Sequence, residues 1–386
     1  MKGHLRERSP GHWAIVLEVQ DEATGNRKRR WHSFTGTKSA ARVECARLIT
    51  ELKNGNALEP NKATVALFLA RWLAHIKTQV SPKTHERYSG IINQNVIPAL
   101  GGVRLNKLKP VQISEAYSAA IDCGRRDGKG GLSPRTVGHM HRVLKQALSQ
   151  AVKWKELNHN PADAVDPPKV DWKPMQTYDF PQTAELVEIV RGTSLHIPIV
   201  LAVMCGLRRG EICALRWRNV DLIASQISVV ESLEQTKAGL RFKSPKSGKG
   251  RTVALSATVV DELRAHRTQR AQDLLRLGTG LSENDLVIGH ADGSMMSPIY
   301  ISHQWARRMA KTPLKRIRFP DLRHSHATHL LSSNVHPKVA SERLGHSKVG
   351  ITLDLYSHVI PGMQEDAAAI VDQALTAARE KNKTKW

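Results

Sequence analysis

The stretch Arg318–Tyr356, RFPDLRHSHATHLLSSNVHPKVASERLGHSKVGITLDLY, decides the reading of this chain. It places an arginine in a helix-forming run (Arg323), a histidine after Leu-Gly (His346) and a tyrosine ten residues further on (Tyr356). A guanidinium can hold two phosphate oxygens at once, an imidazole can add a hydrogen bond, and a phenol can attack phosphorus. These are the parts needed to grip a phosphodiester and break it without a metal. A phenol ionises only near pH 10, so such a site needs more positive charge than one arginine supplies. Upstream, CGLRRGE offers Arg208 with Glu211 three residues on, and SPKSGKGRTVAL offers Lys246.

Working outward, the whole chain is cationic. Its 386 residues carry 58 Lys and Arg against 35 Asp and Glu, a net charge of +23. The excess is spread as +4 over 1–60, +10 over 61–176 and +9 over 177–386. An excess on every part, and not on a single tail, points to a polyanionic partner such as double-stranded DNA. The length is too great for one average domain. Cys45, Cys123, Cys205 and Cys213 show no CxxC pair, which fits small buried thiols in a reducing compartment. MKGHLRERSP lacks an apolar core and does not read as a signal peptide, and no apolar run suits a membrane span. A soluble, cytoplasmic protein is expected.

Three parts follow in order. Residues 1–55 read as a small β-rich module: HWAIVLEVQ and RKRRWHSF as strands about a DEATGN turn, then a helix over Ser39–Leu52. An Arg/Lys-rich strand beside Trp31 and Phe34 suits a DNA groove. Residues 62–160 read as four or five helices, two of them opening with Ser-Pro at Ser81 and Ser133. The Pro-rich NPADAVDPPKVDWKP over 160–174 reads as an irregular interdomain linker. Residues 177–386 open with buried helices, continue through QISVVESLEQT and RTVALS as strands, and close with helices near 257–277, 300–311, 320–333, 337–345, 349–358 and 363–380.

The boxes CGLRRGE, GKGRTVAL, LRHSHATHLL and LGHSKVGITLDLYSHV, in this order and spacing, resemble the catalytic domain of the tyrosine recombinase (phage integrase) family. IPALGGVRLNKLKP and LSPRTVGHMHRVLKQAL resemble the family's helical core-binding (SAM-like) domain, and residues 1–55 resemble its arm-type, AP2-like DNA-binding module. The resemblance implies a multidomain fold: the arm module at 1–55, an all-α core-binding domain at 62–160, and a mixed α+β, mainly helical, catalytic domain at 177–386. It implies that Arg208 and Arg323 clamp the scissile phosphate, that His346 bonds a non-bridging oxygen, that Lys246 protonates the leaving 5′ oxygen, and that Tyr356 forms a 3′-phosphotyrosyl bond. Glu211 would brace Arg208. No cofactor or metal is implied. The implied assembly is a homo-tetramer on paired sites, with a host bending protein or a directionality factor as further partners, and the helix near 363–380 docks on a neighbour or in cis.

One position departs from the pattern. The family's second box begins His-x-x-Arg, and three residues before Arg323 stands Pro320. A missing proton-transfer group costs about 10²–10⁴-fold in rate, so a slower or compensated recombinase is expected. The rival readings are a non-catalytic DNA-binding protein of the same fold and a type IB topoisomerase. HSHATH (His324, His326, His329) has metal-like spacing, but on a helix His324 turns away from the other two, and no Cys or carboxylate joins them. GxxxxGK[ST] is absent, so no nucleotide loop is read.

Overall fold

The computed structural model describes residues 3–20, 27–53, 63–171, 175–245, 248–290, 292–356 and 363–383. The chain divides into two compact units, Met1–Asp171 and Trp172–Trp386.

The first unit begins with an antiparallel sheet of Gly3–Ser9, His12–Gln20 and Arg27–Thr35, in that order. Charged GHLRERS carries too few apolar residues to be flagged from sequence, and pairing with the second strand makes it a strand. Ile15 and Leu17 meet Cys45 of the Lys38–Lys53 helix, with Leu5 and Phe34 packed alongside. Period-two alternation leaves His4, Arg6, Arg8, Arg29, Trp31 and Ser33 exposed. The Arg8 guanidinium lies 5.8 Å from the Trp31 ring centre.

The helical part of this unit follows its punctuation. Thr64 caps Val65–Ile76, which buries Val65, Phe68, Leu69, Trp72, Leu73 and Ile76, the stripe a 3.6-residue period requires. Ser81 and Ser133 cap Pro82–Ile91 and Pro134–Lys153, each accepting the N–H three residues on, with proline at the first helical position. Pro82–Ile91 runs through a π turn, Ile92–Val96, into Ile97–Leu100, and Pro110–Cys123 completes the bundle. Cys123 is exposed, unlike the other three thiols, which corrects the expectation of uniformly buried cysteines.

A second correction concerns the proline-rich stretch after this bundle. Pro161–Ala164 is a 3₁₀ turn with Ala162 and Val165 in the helical core. A proline needs no amide partner in a first turn, and Asn160 supplies the cap. The Asn160 Nδ2 donates to the Lys145 carbonyl and to Ser149 Oγ at 3.0 Å, while its Oδ1 accepts from Ala162 N at 2.9 Å.

The second unit packs helices Phe180–Val190 and His196–Cys205 against a core that includes Tyr178, Trp217, Trp305 and Phe319. Two small sheets stand beside them. Val220–Asp221, Gln226–Val229 and Arg251–Ala254 form one, and the hairpin Ser232–Thr236/Gly239–Lys243 forms the other. QISVVESLEQT, read as a single strand, is therefore two strands in different sheets. Ile227, Val229 and Leu233 stay in phase across the break, so alternation alone does not reveal it. Helices Ala257–Arg276, Pro298–Met309, Asp321–Ser332, Pro337–Leu344, Val349–Tyr356 and Met363–Lys383 follow. Among the described residues, no helix is long and apolar enough to cross a membrane.

Asn160→Ala removes three buried hydrogen bonds and strands their partners. The variant should lose about 2–3 kcal/mol of stability in the first unit, read as a lower urea midpoint.

Candidate active site

The site forms around the end of one short helix. Pro337–Leu344 stops at Gly345, whose left-handed backbone (φ 65°, ψ 47°) lets its N–H bond the Glu342 carbonyl, while His346 N–H bonds Ser341 at 3.0 Å. Two terminal carbonyls are thereby satisfied within the turn. The next three carbonyls each receive a guanidinium from a different element. Arg251 Nε donates to the Arg343 oxygen at 2.9 Å, Arg323 Nη2 donates to the Leu344 oxygen, and Arg208 Nη2 donates to the Gly345 oxygen at 3.2 Å. A helix C-terminus carries partial negative charge and orphan carbonyls, so it draws cations together.

Each arginine is held from behind. Arg323 sits in the Asp321–Ser332 helix, 7% exposed, and its Nη1 donates to the Gly206 carbonyl at 2.6 Å. Gly206 ends the preceding buried helix with φ 67°, and a Cβ there would lie 2.6 Å from His326 Cδ2. That double demand accounts for the glycine in CGLR. Arg208 caps the Arg209–Ala214 helix. Its backbone N–H donates to Glu211 Oε2 at 2.9 Å and its Nη1 to Oε1 at 2.8 Å. Glu211 also accepts from Arg251 Nη1 at 3.0 Å and Nη2 at 2.7 Å. Burial alone pushes its carboxyl up, but Arg251 and Arg208 hold it at about 2.

His346, next after the glycine turn, hydrogen-bonds Thr352 through Nδ1 at 2.8 Å. Burial, with Arg323 and Arg208 close by, lowers its pKa to about 4, so the ring is neutral near pH 7. Thr352 is fully buried in Val349–Tyr356, one helical turn before Tyr356, which is the last residue of that helix. The Tyr356 side chain and the whole of Lys246 lie outside the described residues. The structure thus brings Arg208, Arg323 and His346 together, and the helix that ends on Tyr356 is tied to them through Thr352.

Two members of this cluster went unrecognised in the sequence reading. Neither Arg251, within GKGRTVAL, nor Arg343 belongs to the residues expected from the sequence. Arg343 donates to the Met204 carbonyl at 3.1 Å, to the Ala254 carbonyl at 2.9 Å and to His326 Nε2 at 3.1 Å. His326 Nδ1 in turn meets the Val203 carbonyl at 2.9 Å, so Nδ1 carries the proton and Nε2 accepts. Burial and Arg343 push its pKa down to about 3. His329 bonds the Tyr178 carbonyl at 3.0 Å and stacks on Phe180 with ring centres 4.2 Å apart. The HSHATH run therefore fastens the Asp321–Ser332 helix to its neighbours.

Residues 179–362 match the family model described as phage integrase family, and residues 64–120 match the phage integrase N-terminal SAM-like domain. A tyrosine recombinase XerC-like protein of Caldanaerobacter subterraneus subsp. tengcongensis is 24% identical over 92% of this chain and 94% of its own. The ICEBs1 integrase of Bacillus subtilis is 24% identical over 92% of this chain and 95% of its own. Among solved structures, the Tn1549 transposon integrase in complex with a circular intermediate DNA superposes with TM-score 0.66 at 22% identity, over 81% of this chain and 99% of that one. A lambda integrase tetramer bound to a Holliday junction gives 0.57 at 17% identity, over 89% and 95%. The chain belongs to the phage integrase family of tyrosine recombinases. Its activity is that of the family, site-specific DNA recombination.

The His326 environment has a measurable consequence. Its pKa falls from 6.5 to about 3 on folding, so below pH 6.5 the unfolded chain takes up a proton that the folded chain refuses. The stability this neutral ring contributes is complete above that point and is lost as pH falls toward 3. Between pH 7 and 5 the cost is about 2 kcal/mol. His326→Gln does not titrate there. The stability gap between parent and variant, measured by urea unfolding, should narrow by that amount over the same range.

Proposed function

We propose that this protein cleaves and rejoins DNA through a 3′-phosphotyrosyl intermediate, integrating or excising a mobile element. The single observation that supports this best is the convergence of Arg208, Arg323 and neutral His346 on one turn, tied by Thr352 to the helix that Tyr356 ends. In this reading Arg208 and Arg323 exchange their turn carbonyls for oxygens of the scissile phosphate and stabilise the charge that builds on them. With the Thr352 hydroxyl donating to Nδ1, His346 carries its ring proton on Nε2 and donates it as a hydrogen bond to a non-bridging oxygen. The Tyr356 oxygen, its phenol proton passing to water, attacks phosphorus as the bond to the 5′ oxygen breaks, and Lys246 supplies the proton that oxygen takes up. The phosphotyrosyl ester retains the energy of the broken bond, so a second 5′-hydroxyl can displace the tyrosine without a cofactor.

The remaining assignments belong to the same proposal. The division of labour is an arm-binding module at 1–55, a core-binding domain at 62–160 and a catalytic domain at 177–386. The exposed His4, Arg6, Arg8, Arg29 and Trp31 give the first sheet a cationic face with one aromatic, which suits a DNA groove. The active assembly would be a tetramer on paired sites, with Met363–Lys383 docking through the exposed Ile370, Val371 and Leu375. Phosphate contacts dominate such binding, so affinity should fall steeply with salt.

The test is a nicked suicide duplex built on the direct repeats that flank the open reading frame. The parent should form a covalent protein–DNA adduct, and Tyr356→Phe should form none. Pro320→His should form the adduct at least about 10-fold faster, given what a proton-transfer partner is worth. If neither the parent nor Pro320→His forms an adduct, the chain is a DNA-binding protein that retains the fold without the chemistry. Relaxation of supercoiled plasmid with no site preference would favour a topoisomerase.

A further inference from the structure

Arg251 is the most enclosed of the guanidiniums around Glu211. Its side chain is 9% exposed, against 28% for Arg208 and none for the carboxylate itself. Two of its nitrogens meet the two Glu211 oxygens and the third meets the Arg343 carbonyl, so each of the three nitrogens is already bonded within the protein. Gly345 is packed against it: a Cβ on that glycine would fall 2.8 Å from Arg251 Cδ and 3.1 Å from Nε. Arg323 is as enclosed, but its terminal nitrogens meet the neutral Gly206 and Leu344 carbonyls, whereas both terminal nitrogens of Arg251 are committed to a carboxylate that a phosphate would have to displace.

Its effect on Arg208 follows from charge. A buried carboxylate facing a single guanidinium closes a two-pronged pair with it, which uses the donors and cancels the charge. Here Glu211 is shared. Arg251 covers both oxygens, Arg208 reaches the carboxylate with only one side-chain nitrogen, and its other terminal nitrogen makes a long 3.2 Å contact that is easily exchanged. The cluster keeps a net positive charge, and the exposed edge of that charge belongs to Arg208.

We propose that Arg251 is a positioning residue for strand cleavage. It satisfies Glu211 so that the Arg208 donors remain available to the scissile phosphate. This rests on the phosphotyrosyl reading above.

The experiment uses the full-length chain in single-turnover adduct formation on the same suicide duplex, with folded protein measured by circular dichroism and DNA affinity measured separately. Parent adduct formation establishes the underlying reading before any variant is compared. Arg251→Met should then slow adduct formation about 100-fold per folded molecule, as for other misplaced catalytic groups, with DNA affinity within about threefold of the parent. Arg251→Lys should fall between the two. The decisive variant is the double change Arg251→Met with Glu211→Gln. Without the carboxylate Arg208 is released, so the double variant should cut at least about 10-fold faster than Arg251→Met alone. A purely structural Arg251 gives the opposite result, with the double variant as slow or slower. Parent-like cleavage by Arg251→Met, or a rate loss matched by an equal loss of affinity, overturns the proposal. Should Arg251→Met not fold, the double variant is compared with Glu211→Gln alone: equal rates support the proposal, and a slower double variant overturns it.

Discussion

Three guanidiniums on the last three carbonyls of one helix turn hold this unit's functional end together. Arg251, Arg323 and Arg208 come from a strand, a buried helix and a helix N-terminus, and they meet at Arg343, Leu344 and Gly345. Three like charges so close repel strongly unless something negative lies among them. The helix C-terminus supplies one such field and the buried Glu211 supplies the other. Removing either leaves buried cations without compensation, which costs more than most single contacts provide. An arrangement that can accept a phosphate is therefore also one held in place by groups that mimic one.

Neutral histidines complete this balance. His326 and His346 sit among arginines, and burial together with those arginines keeps both rings uncharged near pH 7. The positive field thus comes wholly from groups that do not titrate in the working range, and the imidazoles contribute direction. His326 fixes the angle between the Asp321–Ser332 helix and Arg343, and His346 connects the glycine turn to Thr352. A neutral imidazole has one donor and one acceptor nitrogen, so it can link an acceptor on one side to a donor on the other.

Much of this was legible in the sequence, for identifiable reasons. The meeting of Arg208, Arg323 and His346 is readable because phosphate chemistry restricts which side chains can serve, and the Ser-Pro helix starts are readable because capping is local. Arg251 and Arg343 are hard to read because, besides Glu211 and His326, they bond backbone carbonyls far along the chain, at Arg343 for one and at Met204 and Ala254 for the other. A carbonyl leaves no mark in a sequence. The strand GLRFK was missed because its Arg and Lys hide a register set by its hairpin partner, and the 3₁₀ turn at Pro161 because Asn160 acts through tertiary bonds.

Pro320 shows how fold and chemistry can part at one position. It precedes the Asp321–Ser332 helix with φ −62° and ψ −19°, values proline adopts without strain. The turn around it is closed by other groups: Asp321 N–H bonds the Arg318 carbonyl at 2.8 Å, and the Asp321 carboxylate takes the Arg318 N–H at 2.9 Å and its guanidinium at 2.8 Å. No donor is asked of residue 320, so the backbone that delivers Arg323 is indifferent to the loss of an imidazole there. One helical turn later on the same side stands His324, half-buried, its pKa lowered by burial and set beside Asp321 and Arg323. The arginine cluster and the helix that ends on Tyr356 are thereby built independently of residue 320, which lets that position vary while the rest of the cluster stays assembled.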